Sequence, residues 1–235
     1  MYLLAIETAT ESCSAALLVN GEVFSISEVA PRRHNEIILS MCEQVLAQAQ
    51  TSLSQLDVIA FGRGPGAFTG VRLAASVTQG IALGQDLPVV PVSSLASLAQ
   101  EAFEVQQATQ VFSCIDARMQ EIYYGYYELS DTKVNEHKIM ELVGEEKVMQ
   151  PSLVDICVSD ECYGVGSGWK PYSNILQQTL GKKISFDENM FPQAESIAKL
   201  GKVYFEQGKS VSAVEALPVY LRDNVAEKPK NKVVF

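Results

Sequence analysis

The sequence is poor in the residues that build metal sites and disulfide frameworks. Its 235 residues include two histidines and five cysteines, and no two cysteines form a Cys-x-x-Cys pair. Zinc and iron sites need several such ligands at turn or helix spacing, so the sequence predicts no metal site. The odd number of cysteines, mostly in apolar surroundings, favours free and buried thiols in a reducing cytosol.

Long hydrophobic runs and an excess of positive charge are missing as well. No apolar run reaches the roughly 18 residues of a membrane-spanning helix, and no basic stretch precedes the apolar N-terminus as it would in a signal peptide. Lys and Arg number 18 against 28 Asp and Glu, which gives a net charge of −10. Because an acidic chain repels a phosphate backbone, we do not expect it to bind nucleic acid alone.

Strand and helix patterns alternate along the first hundred residues. In chain order, the predicted elements are strands 2–6, 13–19 and 23–29, helix 35–50, strand 57–61, helix 68–83, strand 88–92 and helix 94–103. Asn20 and Gly21 predict a hairpin turn, Asn35 is a candidate N-cap and Gly84 a candidate helix stop. Hairpin strands followed by strand–helix alternation predict a mixed sheet with helices packed on it.

This pattern begins again after residue 110. An apolar strand over 111–115 ends at Asp116, much as the first strand ends at Glu7, and a hairpin follows each of them. We interpret this as an internal duplication whose second half is degenerate. The sequence therefore predicts an α/β fold with two mixed-sheet subdomains. Their expected limits are 1–105 and 106–225, with a helix over 193–207 that packs back towards the first subdomain and a loose tail over 226–235.

Two features are candidates for holding a ligand between these subdomains. The glycine-rich run from Gly62 to Arg72 follows a strand and opens a helix, where backbone N–H groups can bind an anion. It lacks the spacing of a P-loop or a dinucleotide fingerprint, so a tight turn that packs the helix close to the sheet is the alternative. The duplication pairs Glu7 with Asp116, either as ligands of a metal–nucleotide complex or as solvated strand ends. The candidate cofactor-binding residues are Glu7, Gly64, Gly66 and Asp116.

The sequence offers no catalytic constellation. No serine occupies a Gly-x-Ser-x-Gly elbow between a strand and a helix, and Gly166-Ser167-Gly168 lacks the required spacing. The two histidines are far apart in the chain. His34 stands at a predicted helix start and is interpreted as a cap or a partner contact, and His137 lies among charged residues and is interpreted as a surface residue.

The helices predicted over 35–50 and 68–83 are too apolar for ordinary surface helices. A surface helix has one apolar stripe, whereas the first of these is apolar on more than one side and the second has no charge after Arg72. One side of each helix can cover the sheet, and the other side needs a second cover. Either another part of the same chain provides it or a second chain does, and the second chain is favoured because exposed apolar patches usually mark partners.

Four segments resemble a known family. They are Leu4-Ala5-Ile6-Glu7-Thr8-Ala9-Thr10, Arg33-His34-Asn35-Glu36, the run from Gly62 to Arg72, and Leu217-Pro218-Val219-Tyr220-Leu221-Arg222-Asp223. Together they resemble the bacterial TsaB (YeaZ) family along nearly the whole chain. The resemblance implies the duplicated actin/sugar-kinase/Hsp70-like (ASKHA) fold. It also implies a non-catalytic subunit of the cytoplasmic complex that transfers a threonylcarbamoyl group to the adenosine beside the anticodon of tRNA.

The same resemblance implies partners. Helices 35–50 and 68–83 are expected to pair with a second copy or with the transferase paralogue TsaD, the ATPase TsaE joins the complex, and tRNA is reached only through the complex. The residues expected at the contact are His34, Ile38, Met41, Cys42, Val45, Arg72, Leu73, Val77 and Gly80.

Catalytic relatives carry a metal-binding His-x-x-x-His pair where this sequence has Ser94 and Leu98. A hydroxyl and an aliphatic side chain do not replace two imidazoles, so the resemblance implies no catalytic residue, no metal and no tightly bound cofactor. Weak nucleotide binding in the cleft between the subdomains stays open. The alternative functions are an active small-molecule kinase of the same fold, with Glu7 and Asp116 as its acids, and a metalloprotease, which the missing histidine pair disfavours.

Overall fold

The computed structural model describes residues 1–130 and 138–222, which form ten strands and five α-helices. The strands are β1 (Tyr2–Glu7), β2 (Ser12–Val19), β3 (Glu22–Val29), β4 (Val58–Gly62), β5 (Val89–Val92), β6 (Gln110–Arg118), β7 (Glu121–Leu129), β8 (Met140–Met149), β9 (Tyr163–Val165) and β10 (Ser185–Asp187). The helices are α1 (His34–Gln48), α2 (Phe68–Gln85), α3 (Ser94–Gln106), α4 (Trp169–Thr179) and α5 (Ala194–Glu206). None of the described helices combines the length and the apolar character that crossing a membrane requires.

Two five-stranded mixed sheets share one topology. The strand order is β3-β2-β1-β4-β5 in the first sheet and β8-β7-β6-β9-β10 in the second. In each sheet the first two pairings are antiparallel and the last two are parallel. The second half of the chain thus repeats the strand path of the first, and the predicted α/β fold with a duplicated mixed sheet is confirmed.

The inner strands of each sheet are buried on both faces because their residues alternate between two hydrophobic layers, whereas the outer strands β3 and β8 are largely exposed. In β1, Leu3 and Ala5 belong to the core between the two sheets, whereas Leu4 and Ile6 belong to a core under α1 and α2. The central layer contains α3 and α5, which contact each other. Helix α5 packs on the first sheet and α3 packs on the second, so the helix that follows each repeat covers the sheet of the other repeat.

The second repeat lacks a counterpart of α1. Between β8 and β9 the described residues contain a 3-10 turn over Pro151–Leu153 and no α-helix. Val154 and Val158 from this connection share a hydrophobic core with Trp169 and Leu176 of α4. The position of His137 lies outside the described residues, as do Asp223 and the predicted tail 226–235.

Two predicted helix boundaries are wrong. Asn35 is not the cap of α1, because the helix begins at His34 after Arg33 and has no side-chain cap. Gly84 does not stop α2, which continues to Gln85 and ends where Asp86 adopts a left-handed conformation with φ 53°. The N–H of Asp86 bonds the carbonyl of Ala82 there. Gly84 therefore has no role in a turn and lies exposed within the last turn of the helix.

Candidate functional site

The glycine-rich turn, residues 62–70, runs from the end of β4 into the first turn of α2 and packs against the end of β1. A Cβ atom would overlap the Glu7 carboxylate if placed on Gly62, the Ala9 carbonyl if placed on Gly66, and the Thr8 carbonyl if placed on Gly70. The Thr8 hydroxyl donates to the carbonyl of Gly70 at 2.7 Å. These three glycines are explained by close backbone packing within the chain, which was the alternative to ligand binding.

Glu7 is enclosed by this turn and does not face the cleft. Its side chain is fully buried, and its carboxylate accepts the N–H of Ala9 at 2.6 Å and the hydroxyl of Ser94 at 2.7 Å. Burial raises the pKa of the Glu7 carboxyl above its ordinary value, since desolvation outweighs these hydrogen bonds. Glu7 is thus a structural acid, and its prediction as a cofactor ligand or a solvated strand end is wrong.

The two positions at which the resemblance implied a histidine pair in catalytic relatives are interior here. Ser94 and Leu98 are both fully buried, and the Ser94 hydroxyl is engaged with Glu7. Leu98 belongs to the hydrophobic core between the sheets. Within residues 1–130 and 138–222, no group of three His, Cys, Asp or Glu side chains is arranged to hold a metal.

A cleft of about 940 Å³ separates the turn after β1 and the start of α2 from the end of β6 and the start of α4. Two of the four candidate cofactor residues, Gly66 and Asp116, line it, and His34 does as well. Gly64 is buried and, like Glu7, is not part of the lining. The Asp116 carboxylate accepts both the side chain of Arg118, at 3.1 Å, and its backbone N–H, at 2.9 Å.

A C-terminal strap, residues 216–222, closes one end of the cleft. The Val219 N–H donates to the carbonyl of Arg63 at 2.9 Å. Arg72 donates to the Tyr220 hydroxyl at 2.8 Å, and its guanidinium lies 3.5 Å above the ring of Phe68. Arg222 pairs with Glu121 of the second sheet. The strap thereby connects the start of α2 in the first subdomain to the β6–β7 hairpin in the second.

A second candidate site is the outward side of α1 and α2. Some of the predicted contact residues are buried within the chain, and the others are exposed or partly exposed. The four on α1, Ile38, Met41, Cys42 and Val45, are at most 5% exposed and pack against the first sheet of their own chain. Their assignment to a partner contact is wrong, because a side chain that is already buried has no surface to lose to another chain. Of the others, Arg72 and Gly80 are exposed, and His34, Leu73 and Val77 are partly exposed.

The outer face of α2 consists of Ser76, Val77, Gly80, Leu83 and Gly84. Leu83 is 63% exposed, and a Cβ atom on Gly80 or Gly84 would meet no atom of residues 1–130 or 138–222 within 4 Å. On the neighbouring α1, Leu39 is 55% exposed. Sequence reasoning missed Leu39, Leu83 and Gly84 as contact residues, although counting three and four residues along α2 from Gly80 would have found the last two.

Comparison with known proteins places these features in a family. The family model described as "TsaD: tRNA N6-adenosine threonylcarbamoyltransferase" matches residues 25–230. The tRNA threonylcarbamoyladenosine biosynthesis protein TsaB of Haemophilus influenzae is 39% identical over 231 residues, which cover 97% of this chain and 96% of that protein. The TsaB protein of Escherichia coli K12 is 38% identical, with 97% of both chains covered.

A solved structure shows the same similarity. The structure of YeaZ from Pseudomonas aeruginosa superimposes with a TM-score of 0.86 at 43% identity, covering 94% of this chain and 99% of that chain. An agreement of this size extends over both sheets and the helices between them.

Proposed function

Because the chain belongs to the TsaB (YeaZ) family, we propose that it is the non-catalytic subunit of the complex that attaches a threonylcarbamoyl group to the adenosine beside the tRNA anticodon. Membership places the chain in tRNA threonylcarbamoyladenosine biosynthesis. The observation that carries the non-catalytic part is the interior position of Ser94 and Leu98. Neither side chain can bind a metal where the transferases have two histidines.

The kinase alternative needs two acids that face one cleft. Glu7 is buried behind the glycine-rich turn, and Asp116 is held by Arg118. These residues therefore do not form a pair that could hold a metal–nucleotide complex. A scaffold role in the complex needs no tightly bound cofactor.

The outer face of α2 is the proposed partner contact. Glycine in a helix interior costs about 1 kcal/mol relative to alanine, and no described residue occupies the space beside Gly80 or Gly84. The exposed Leu83 and Leu39 add apolar surface on α2 and on the adjacent α1. A second helix that packed closely across the two glycines would account both for the glycines and for the exposed leucines. The proposed occupants are a second copy of this chain and the paralogue TsaD, which compete for the same face.

Charge favours an indirect contact with tRNA. The net charge of −10 opposes binding to a phosphate backbone. In this proposal the partner supplies the basic surface, TsaE docks onto the assembled pair, and the complex works in the cytoplasm, where tRNA is modified.

Reconstitution tests the proposal. The purified chain, a TsaD-type paralogue that carries His-x-x-x-His, and TsaE are mixed singly and together with unmodified tRNA and an activated threonylcarbamoyl donor, and the modified nucleoside is quantified by chromatography. We expect no product from the chain alone and a strong dependence of the paralogue on the chain. Product formed by the chain alone, or full activity of the paralogue without it, would overturn the proposal.

A further inference from the structure

The second sheet ends in an edge strand that lacks a partner on its outer side. Strand β8 pairs with β7, and no described strand pairs with its other side. Residues 141–145 are all exposed, and among them Leu142 and Val143 are 40% and 41% exposed. An edge strand leaves a row of backbone N–H and C=O groups that can pair with a further strand. The outer side of β8 therefore has room for one more strand.

The charge of this edge favours a basic partner. The acids of β8 outnumber its one lysine, and Glu141 and Glu145 are exposed and form no ion pair in the described part of the chain. Glu146 is turned inward, where it accepts the hydroxyl of Tyr127 at 2.7 Å and pairs with Arg63 at 3.1 Å. Like charges that face each other across two strands are destabilising, so this edge opposes pairing with its own copy. A strand that carries lysines would be stabilised here.

The described chain ends beside this edge. Arg222 pairs with Glu121, at the start of β7, and donates to the carbonyl of Ala117. The next residue of β7, Ile122, is the partner of Met149 at the end of β8. Neighbouring strands lie about 4.8 Å apart, and three extended residues span about 10 Å. The residues after Arg222 are thus within reach of the outer side of β8, along which they would run antiparallel to it.

The sequence beyond Arg222 has the pattern that such a strand needs. Residues 228–234 read Lys-Pro-Lys-Asn-Lys-Val-Val, and alternate residues of an extended chain share one face and one hydrogen-bonding direction. If the lysines pair with β8, Pro229 lies at a position whose N–H would face solvent, where proline is tolerated. Lys228 and Lys232 are four residues apart, and so are the two exposed glutamates of β8. One antiparallel register therefore sets each of these lysines opposite a glutamate.

We propose that residues 224–233 bind along the outer side of β8 as a sixth strand of the second sheet. In this register Lys228 lies opposite Glu145, and Lys232 lies opposite Glu141. The contact replaces the loose tail that the sequence predicts over 226–235, and it covers an edge that is otherwise open to other chains. The proposal concerns the chain's own segment and does not depend on the proposed function.

Hydrogen–deuterium exchange of the full chain, read by mass spectrometry, tests the contact. The charge reversal Lys228→Glu with Lys232→Glu should speed the exchange of the β8 amides about tenfold, the size expected for two lost cross-strand ion pairs. Exchange of β3, the corresponding edge strand of the first sheet, should be the same in both proteins. Protection of β8 that grows with protein concentration would assign the edge to a second copy and overturn the proposal.

A charge swap and a control variant locate the contact. Adding Glu141→Lys and Glu145→Lys to the reversal should restore slow exchange, because the two pairs form again with their charges exchanged. Lys183→Glu is the matched control, since Lys183 is exposed and lies next to β10 at the opposite edge of the sheet. Equal acceleration by this control would show a general charge effect and contradict the proposal.

The lysines of residues 228–232 could also serve a contact with RNA, and the same variants distinguish the two cases. If the reversal leaves the exchange of β8 unchanged, the proposal is overturned. Lower tRNA modification by the reconstituted complex with that variant would then assign these lysines to RNA.

Discussion

The glycine-rich turn and the outer face of α2 are adjacent in the chain, yet their glycines have different explanations. In the turn, Gly62, Gly66 and Gly70 are each required because the chain's own atoms occupy the space beside them. On the outer face, no atom in the described part of the chain lies beside Gly80 or Gly84. The comparison teaches that a glycine motif identifies a binding surface only where the chain itself leaves the glycine unexplained.

Gly70→Ala tests the first half of this comparison, the close packing of the glycine-rich turn, and has the largest expected effect. The new methyl group would overlap the carbonyl oxygen of Thr8, a backbone atom that cannot rotate away. Overpacking of this kind costs about 3 kcal/mol, and the bond from the Thr8 hydroxyl to Gly70 would be disturbed as well. Urea unfolding of the variant should show this loss of free energy. A variant as stable as the wild type would mean that the turn can move away from β1.

Leu83→Glu tests the second half of the comparison, in which the outer face of α2 is a partner contact. The side chain is 63% exposed in the single chain, so the subunit should fold normally. A charge buried at a helix–helix contact costs several kcal/mol when it is unpaired, and the dissociation constant of the pair should rise at least about a hundredfold. Sedimentation velocity over a range of concentrations measures this change.

Val105→Glu is the matched control for Leu83→Glu. Val105 is 58% exposed on α3, a helix that packs on the second sheet. Association should be unchanged in this variant. If both variants weaken association equally, or if neither does, the outer face of α2 is not the contact.

Sequence alone predicted the strand path well, because alternation and hairpin signals depend on neighbouring residues. It failed where the environment of a side chain depends on residues that are distant in the sequence. Nothing near Glu7 indicates that Ser94, 87 residues away, supplies its hydrogen bond inside the fold. The apolar stripe of α1 is too broad to fix which side faces the sheet, so Ile38 and Val45 were assigned to the wrong side. Packing on β2 decides that orientation.

Gly80→Ala tests the outer face of α2 with a smaller change. It should raise the stability of the isolated subunit and weaken its pairing. Alanine replaces glycine in an exposed helix position with free space for its methyl group, so the isolated subunit should gain up to about 1 kcal/mol of stability. The same methyl group would separate two closely packed helices, and pairing should weaken. Urea unfolding under dissociating conditions and sedimentation measure the two effects. A subunit that is stabilised and pairs as well as before would show that no helix approaches Gly80 closely.

The smallest effect is expected from Glu7→Gln, which keeps the shape of the residue enclosed by the turn and removes its charge. Burial raises the pKa of Glu7 above its ordinary value of 4.5, so the folded state holds this proton more tightly than the unfolded state does. The wild type therefore loses stability as the pH rises from about 4.5 through the raised pKa, since ionisation of the buried carboxyl opposes folding.

The Glu7→Gln variant has no such group, and its stability relative to the wild type should increase between about pH 5 and about pH 8. Glu101, whose pKa is also raised, is present in both proteins and cancels in the difference. Unfolding free energies measured at both pH values test this, and parallel profiles would show that Glu7 is not buried as described. Activity of the reconstituted complex should be unchanged, because a carboxyl enclosed by Ser94 and Ala9 reaches no substrate.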